Sequence, residues 1–412
     1  MAQKLKFGNG TWATKEGSTL AYNDENNNYK PLPFTTTRDS IATRVNKEGL
    51  IEVVGNDVPR IDYTDSSEGV LLLEPARTNL VTYSEDFSHS SWVNVAQGTG
   101  SAVIVTSDYA TSPDGTQNAT RLQCELNGGV TSSGNQSLIA NVYSSSGNQT
   151  ISVYLKSNNG QNQTIYFANT QTSGDTVTIT SEWQRFEFSH NTSTYVLAVG
   201  LRGRSGGAID DTADILIWGA QVEAASFASS YIPTSGSTVT RAAETANGAG
   251  NSEVFNDSEG VLFADISALD DENSEKAIAI SDGSFNNRIN LRITSNNIRA
   301  YGFVSGANDV YMSYTIPLIT SVNKIAFKYK ENDFSLCVNG FEVSTDTSGS
   351  TFSEGTLSEL NFDAGSNSAL PFYGKTKEIG YYDTALTDEE LEYITSYRSL
   401  NELVTELNLN EL

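Results

Sequence analysis

Apolar and polar residues alternate with a period of two in many short stretches of the chain. In residues 151–155, Ile-Ser-Val-Tyr-Leu, and 164–167, Thr-Ile-Tyr-Phe, neighbouring positions take opposite character, which is typical of strands with one buried face. Clusters of Ser, Asn and Gly between such stretches indicate turns. This spacing favours a β-sandwich over residues 85–225, with predicted strands at 102–106, 119–123, 150–155, 164–168, 185–189, 195–200 and 215–221.

The same pattern returns in residues 255–397 and predicts a second sandwich. Asn339-Gly340 between two β-prone runs favours a tight hairpin. Residues 387–390, Thr-Asp-Glu-Glu, form a capping box before the apolar stripe of residues 391–397, which predicts one short helix. The predicted strands are 260–266, 277–280, 288–294, 298–303, 311–315, 323–330, 333–338 and 377–382.

The remaining segments carry a weaker pattern. Residues 1–84 hold short β-prone runs between polar loops and favour an irregular β platform rather than a self-contained domain. Residues 226–254 are punctuated by Pro and Gly and favour a linker. The predicted fold class is therefore all-β: an N-terminal anchoring region (1–84), a sandwich (85–225), a linker (226–254), and a second antiparallel sandwich with a C-terminal helix (255–412).

The charge of the chain and the lengths of its apolar runs limit the classes of partner that we expect. Fifty acidic residues against 25 basic ones give a formal net charge of -25, a field that repels phosphate backbones, so no nucleic-acid partner is expected. No run of about 18 apolar residues occurs, so no membrane insertion is expected. The N-terminus lacks the apolar stretch of a secretory signal peptide.

Three blocks of short motifs follow one another between residues 34 and 243. The blocks are Phe34-Thr-Thr-Thr-Arg38, Ile41–Asn46 and Gly49–Val54; Val58–Tyr63, Leu71–Leu80 and Tyr83–Phe87; and Trp218–Glu223, Ala228–Gly236 and Val239–Ala243. In this order and spacing they resemble a family of bacteriophage virion proteins, described as tail fibre, head fibre or phage structural proteins. The resemblance implies a subunit on the surface of a capsid or tail, assembled in the host cytoplasm. It further implies a homotrimer that contacts other virion proteins through its N-terminal region, and a jelly-roll carbohydrate-binding module in the middle.

The second sandwich ends, in residues 379–391, with a last predicted strand followed by a short capped helix. With this ending, residues 255–397 resemble the lamin G or concanavalin A-like sandwich. That fold is shared by lectins, hydrolases and structural modules, so it does not determine function.

The residues give little support to catalysis. The chain has two histidines, and no zinc-binding or nucleophile motif surrounds either of them. A glycosidase needs two carboxylates about 5–10 Å apart in a cleft, and no predicted strand of the second sandwich carries the Glu-x-Asp-x-x-Glu run typical of concanavalin A-like glucanases. We expect a protein that is not an enzyme.

Candidate site residues fall into three groups. Aromatic rings stack on sugars, which makes Trp92, Tyr301, Tyr311 and Tyr373 candidate ligand-binding residues. By resemblance, Glu85, Asp86 and Glu223 lie at the first and last strand ends of the jelly roll, where a structural Ca²⁺ is usual; unliganded surface carboxylates are the alternative. Arg38, Arg44, Arg60 and Arg77 stand out in an acidic chain and suit virion anchoring or oligomerisation, with ordinary intradomain salt bridges as the alternative.

The function expected from sequence is a phage fibre or spike subunit that adsorbs to host-surface or mucosal glycans by many weak contacts. One alternative is a structural head fibre or capsid decoration protein without sugar binding. Another is a polysaccharide-depolymerising tailspike, which predicts a carboxylate pair in an open cleft. A bacterial surface adhesin fits less well, because of the phage-like motifs and the missing signal peptide.

Overall fold

The computed structural model describes residues 2–23, 30–143, 147–168, 175–191, 195–271, 273–366 and 369–406. The chain divides into two compact units. Unit 1 comprises Met1–Ile41, Val54–Pro75 and Ala243–Leu412. Unit 2 comprises Ala42–Val53 and Ala76–Ala242.

The described residues are nearly all strand, which confirms the all-β prediction. Before residue 248 the strands are β1 Gln3–Gly8, β2 Thr14–Lys15, β3 Ser18–Asn23, β4 Lys30–Thr37, β5 Ala42–Val45, β6 Ile51–Val54, β7 Ile61–Asp62, β8 Val70–Leu73, β9 Arg77–Asn79, β10 Val93–Gln97, β11 Ile104–Ala110, β12 Ala119–Glu125, β13 Gln136–Tyr143, β14 Asn148–Ser157, β15 Gln163–Ala168, β16 Asp175–Ile179, β17 Gln184–Asn191, β18 Tyr195–Arg202, β19 Thr212–Glu223, β20 Val239–Arg241 and β21 Thr245–Asn247. After it they are β22 Glu259–Ala268, β23 Lys276–Ser281, β24 Arg288–Thr294, β25 Asn297–Val304, β26 Ala307–Thr315, β27 Asn323–Lys330, β28 Phe334–Val338, β29 Phe341–Asp346, β30 Glu359–Asn361 and β31 Gly374–Tyr382, followed by helices α1 Asp388–Thr395 and α2 Leu400–Glu406.

Unit 2 is a sandwich of two antiparallel sheets. Within its described residues, one sheet has the order β10-β13-β18-β15-β16 and the other β11-β12-β19-β14-β17. The alternation seen in sequence explains the core, because Ile151, Val153 and Leu155 of β14 all point into it. Three strands of this sandwich were not predicted: β10, β13 and β16. In β13 the buried run of residues 138–140 is continuously apolar, so it shows no period of two.

Unit 1 is built from a large and a small sheet that enclose one core. In the described residues the large sheet has 12 strands, along the path β21-β4-β3-β1-β31-β22-β27-β28-β29, with β2, β7 and β8 attached. The small sheet has the order β26-β25-β24-β23-β30. Side chains from both ends of the chain meet in the core: Leu5 and Phe7 of β1 are buried in the same cluster as Phe327 and Ile379.

This division differs from the predicted domain organisation. Residues 1–84 were expected to form a separate platform, but β1 pairs antiparallel with β31, bringing Phe7 opposite Ile379. The segment predicted as a linker, residues 226–254, contains β20, which pairs with β9, and β21, which pairs with β4. Pairing and core burial stabilise these segments, and neither is visible in the local composition.

The two local signals of the C-terminal half are confirmed. Asn339 and Gly340 join β28 to β29 with φ values of 51° and 87°, as a two-residue hairpin turn requires. Thr387 caps α1: its hydroxyl accepts from the Glu390 amide at 3.3 Å, and the Glu390 carboxylate accepts from the Thr387 amide at 2.9 Å. Among the described residues, no helix has the length and apolarity needed to cross a bilayer.

Alanine substitution at two glycines with positive φ can test how closely β1 approaches β31. A Cβ on Gly8 (φ +97°) would lie 2.1 Å from the carbonyl oxygen of Lys377, whereas Gly17 (φ +70°) has no atom within 4 Å of its Cβ position. Both alanine substitutions impose left-handed strain of about 1–2 kcal/mol, but only Gly8→Ala adds a collision with β31, at about 1–3 kcal/mol. Urea denaturation should show the larger loss of unfolding free energy for Gly8→Ala. Equal losses would contradict the close approach of the two strands.

Candidate functional site

The outer face of the small sheet of unit 1 carries an unusual set of side chains. In β24, Ile289, Leu291 and Ile293 point into the core, so the alternate residues point away from it. The neighbouring strands β25 and β26 add aromatic residues to that outer side. We call this surface the aromatic–arginine face and define it by Arg288, Asn290, Arg292, Tyr301, Phe303 and Tyr311.

Strand register places these side chains in rows. Arg288 lies opposite Phe303, and Asn290 lies opposite Tyr301. Tyr301 in turn lies opposite Tyr311 on the outermost strand, β26. The Tyr301 ring centroid is 5.0 Å from that of Tyr311 and 5.8 Å from that of Phe303. The three rings therefore form one contiguous cluster, and Tyr311 at its edge is 50% exposed.

The arginines lie against these rings. The Cζ atom of Arg288 is 3.7 Å from the ring centroid of Phe303, and that of Arg292 is 4.4 Å from the ring centroid of Tyr301. Stacking of a guanidinium on an aromatic ring contributes about 0.5–2 kcal/mol. It also fixes the plane of the guanidinium, so the N–H groups have a defined direction.

The two arginines differ in their electrostatic surroundings. Arg292 Nη1 donates to Glu275 Oε2 at 2.9 Å, and Glu275 also pairs with Arg299 at 2.7 Å. Arg288 makes no ion pair within the described residues; its Nη1 donates to the Phe285 carbonyl. Burial, and secondarily the charge of Arg292, lower the pKa of Arg288 to about 10. It therefore remains charged at neutral pH.

One side of the face is closed by residues 363–366. The Gly365 carbonyl accepts a hydrogen bond of 2.9 Å from the Ser281 hydroxyl, and the Gly365 amide donates to Asp363 at 2.6 Å. A Cβ on Gly365 would lie 2.8 Å from the Ser281 Cβ, so this backbone passes directly over the end of β23. The face thus has a polar wall beside β23 and an open aromatic edge at β26.

Aromatic rings beside guanidinium and amide groups are suited to binding a sugar. Aromatic rings offer flat apolar surfaces to the C–H groups of a sugar. Guanidinium and amide groups supply planar hydrogen-bond donors and acceptors for its hydroxyl groups. Both kinds of group lie within one cross-strand row here.

The structure brings together two of the four predicted ligand-binding residues, Tyr301 and Tyr311. Tyr373 is partly buried and directly precedes β31, in the other sheet. Trp92 requires a correction: it is 5% exposed, its Nε1 donates to the Tyr83 carbonyl at 3.0 Å, and its ring packs on Phe87 at 4.8 Å. The tight turn that precedes β10 turns this ring into the core of unit 2, where it cannot stack on a ligand.

Sequence reasoning missed Arg288, Asn290 and Arg292. The signal was present in β24, whose sequence Arg-Ile-Asn-Leu-Arg-Ile-Thr alternates large aliphatic residues with Arg and Asn. An arginine or asparagine at every second position of a central strand shows that the outer face is polar. It does not show which aromatic residues lie beside them.

The arginines predicted for anchoring do not form one cluster. Arg38 and Arg60 are buried in unit 1, where Glu244 accepts from Arg38 Nη1 at 2.7 Å and from Arg60 Nε at 2.9 Å. Arg60 Nη2 also pairs with Glu74 at 2.8 Å. For Arg38 and Arg60 these contacts are intradomain ion pairs, the alternative to an anchoring role given from the sequence. Although burial opposes the charged form, Glu244 and Glu74 raise the pKa of Arg60 above its ordinary value.

The other two arginines belong to unit 2. Arg44 pairs with Glu52 across β5 and β6 at 2.6 Å, with both side chains partly exposed. Arg77 lies 5.1 Å from the ring centroid of Phe227. Because these contacts are all within one chain, a role of the four arginines in virion anchoring stays a prediction.

The carboxylates predicted to hold Ca²⁺ are engaged by protein donors. Glu223 is fully buried and accepts from Gln221 Nε2 at 2.8 Å and from the Ser229 amide at 2.9 Å. Glu85 accepts from the Tyr231 hydroxyl at 2.8 Å, and burial raises its pKa. Asp86 caps its own turn by accepting from Ser88. This donor set does not fit a shared cation, and the described part of the chain contains no cluster of three metal-ligating side chains.

A depression in unit 1, of about 680 Å³, is lined by charges of both signs, including the carboxylates of Asp65, Glu68, Asp265, Glu378 and Glu402. Among them, Glu402 pairs with Lys324 at 2.5 Å. Burial acts to raise the pKa of Glu402, but hydrogen bonds from Lys324 and the Arg398 amide lower it overall. Glu402 itself therefore lacks the raised pKa that a general acid needs.

Comparison with known proteins gives no assignment. No family model matches the sequence, and no curated protein matches it. Among solved structures, the CBM40 domain of the Ruminococcus gnavus IT-sialidase, bound to α2,3-sialyllactose, is 17% identical, with 36% of this chain and 93% of that chain covered at a TM-score of 0.31. Domain 4 of AbnA, a GH43 extracellular arabinanase from Geobacillus stearothermophilus in complex with arabinotriose, is 16% identical, with 37% and 73% covered at a TM-score of 0.31.

Domains LG4-5 of the mouse laminin alpha1 chain are 11% identical, with 72% of this chain and 94% of that chain covered at a TM-score of 0.25. At such identities and TM-scores, these similarities carry no inference about this chain, and its assignment rests on its own residues.

Proposed function

We propose that this chain binds carbohydrate through the aromatic–arginine face and serves as a fibre or spike subunit that attaches a phage particle to host-surface or mucosal glycans. The observation that supports sugar binding is the ring cluster of Tyr301, Phe303 and Tyr311 beside stacked arginines. Ligand sites are usually lined by aromatic and apolar side chains with a few convergent polar groups, and the aromatic–arginine face has this composition.

The virion role is supported by the resemblance of three sequence blocks between residues 34 and 243 to phage fibre proteins. A single shallow face of this kind binds a sugar weakly. Display of several copies, as in the proposed homotrimer, raises overall avidity by up to about 10²–10⁴ without new contacts. In this proposal the chain binds without catalysis, and residues 1–84 contribute the contacts to other virion proteins.

Binding of the full chain to a glycan array and to intact host cells tests the function. We expect Tyr301→Ala and Tyr311→Ala each to weaken glycan binding by about 3–10-fold, because each removes a stacking surface of about 0.5–1.5 kcal/mol. Tyr393→Ala is the matched control, since Tyr393 is an exposed tyrosine of α1 with Arg398 stacked at 3.8 Å. It should bind like the parent chain.

Two outcomes would count against the proposal. Failure of the folded parent chain to bind any glycan or cell would favour a structural head fibre or capsid decoration protein. Normal binding by Tyr301→Ala and Tyr311→Ala would move the sugar site away from the aromatic–arginine face.

A further inference from the structure

The guanidinium of Arg288 is enclosed by two aromatic rings. Its Cζ atom is 3.7 Å from the ring centroid of Phe303 and 5.2 Å from that of Phe285. The two rings and the hydrogen bond to the Phe285 carbonyl restrict the orientation of the side chain. An arginine held by its planar faces offers its N–H edge to a partner in a fixed direction, with little entropy left to lose on binding.

Arg288 is also a cation without an ion pair; the charge of nearby Asp282 favours its charged form but only partly offsets burial. It is 5% exposed, and no carboxylate in the described ranges pairs with it. The neighbouring carboxylates have other partners: Glu275 bridges two other arginines, and Asp282 and Glu359 accept from nearby Ser and Asn side chains. A buried charge without a counter-ion is costly, and it is unexpected in a chain of net charge -25.

Beside it lies an amide without partners. Asn290 is 0% exposed, and neither its Nδ2 nor its Oδ1 has a hydrogen-bond partner among the described residues. The Nε atoms of Arg288 and Arg292, on either side of it in β24, also lack partners there. Buried polar groups are normally hydrogen-bonded, so four such atoms on three alternate residues of one strand indicate a site for a polar ligand.

We propose that the ligand of the aromatic–arginine face is an acidic glycan, with a sugar carboxylate paired to Arg288, hydroxyl groups bonded to Asn290, and the ring packed on Tyr301 and Tyr311. This inference rests on the proposed sugar-binding function and adds the chemical class of the ligand. A planar carboxylate accepts two parallel N–H bonds in the plane of a guanidinium. A tetrahedral sulfate places two oxygens in that plane and the other two out of it, so a sulfated polymer tests the preference for a planar anion.

The test uses the full chain and pairs of glycans that differ in one group. Oligosaccharides containing uronic or sialic acids are compared with their carboxyl-reduced forms, and dextran sulfate serves as an anion without carboxylates. At least one carboxylated glycan should bind about tenfold or more tightly than its reduced form, as expected for a hydrogen-bonded charge pair. Dextran sulfate should bind more weakly than that glycan.

Arg288→Gln should remove this preference: it should weaken binding of the carboxylated glycan about tenfold and binding of the reduced form by a smaller factor, so that the two glycans bind about equally. Its melting temperature should change little, because the lost contacts with Phe285 and Phe303 are offset by removal of a buried charge that has no ion pair. Arg398→Gln is the matched control, an arginine stacked on the Tyr393 ring at 3.8 Å away from the face. It should keep the preference.

The outcomes separate this inference from the proposed function. Equal binding of carboxylated and reduced glycans, or an unchanged preference in Arg288→Gln, would overturn the acidic ligand while sugar binding stands. Equal binding of dextran sulfate would overturn the assignment to a carboxylate. Absence of binding to every glycan would remove the proposed function and this inference together.

Discussion

Removal of residues 1–75 is expected to leave unit 1 unable to fold, whereas residues 76–242 are expected to fold without the rest of the chain. The N-terminal segment supplies six large side chains to the unit 1 core: Leu5, Phe7, Phe34, Ile61, Leu71 and Leu73. At about 2 kcal/mol for each buried side chain, their loss amounts to about 12 kcal/mol. That equals the whole stability of a typical domain, about 5–15 kcal/mol.

The truncation also unpairs part of the large sheet. β31 pairs with β1 and β8 as well as with β22, so its N-terminal partners would be replaced by water. Residues 76–242, by contrast, retain every strand of both sheets of the unit 2 sandwich. They lose β5 and β6, which contribute Ile51 and Val45 to a small cluster.

Two fragments, residues 76–412 and residues 76–242, provide the measurement. Near-ultraviolet circular dichroism and limited proteolysis should show a folded sandwich in both fragments. Residues 243–412 should be cleaved rapidly in the longer fragment. Protection of residues 243–412 equal to that in the full chain would show that unit 1 folds without its N-terminal segments.

Glu244→Ala is expected to lower the unfolding free energy of unit 1 by about 3–5 kcal/mol, the usual result of breaking a buried ion pair. Glu244 lies between Arg38 and Arg60, and all three side chains are almost completely buried. Its carboxylate also accepts from the Glu74 amide at 3.0 Å. The substitution would leave Arg38 buried without its carboxylate partner and Arg60 with Glu74 alone.

The pair of Arg44 and Glu52 provides the control. It has the same chemistry, with Nε and Oε1 2.6 Å apart, but its side chains are 25% and 36% exposed. Glu52→Ala should therefore cost less than about 1 kcal/mol. Urea denaturation gives the free energies, and hydrogen exchange assigns each loss to strands of unit 1 or unit 2. Similar losses of unfolding free energy for Glu244→Ala and Glu52→Ala would show that the buried ion pairs of Glu244 stabilise the protein no more than a surface ion pair does.

Arginine has opposite surroundings in the buried ion pairs of Glu244 and in the aromatic–arginine face. Arg60 is compensated by two carboxylates, which makes it a structural group. Arg288 is almost as buried and forms no ion pair in the described chain, which fits the external anion that we propose for it. Stability is thus expected to fall when the first is disturbed, and ligand binding when the second is.

Local sequence determined the elements of this protein where one segment carried its own signal. The boundaries of β24 and β27 coincide with those predicted from hydrophobic pattern, because burial of one or both faces imposes a period of two or a continuous apolar run. The turn at Asn339-Gly340 and the cap at Thr387 follow from backbone preferences of single residues. Tyr301 and Tyr311 were candidates because exposed aromatic residues are frequent in sugar sites.

Which side chains become neighbours was determined only by the tertiary structure. Nothing near Phe7 indicates that it will face Ile379 at the other end of the chain, and nothing near Trp92 shows that its ring turns inward. The aromatic–arginine face exists only because register sets Arg288 opposite Phe303 and Asn290 opposite Tyr301. Hydrophobic periodicity indicates which face of a strand is buried. The residues that lie beside that face depend on strand pairing and on packing of the whole core, and no local sequence pattern encodes them.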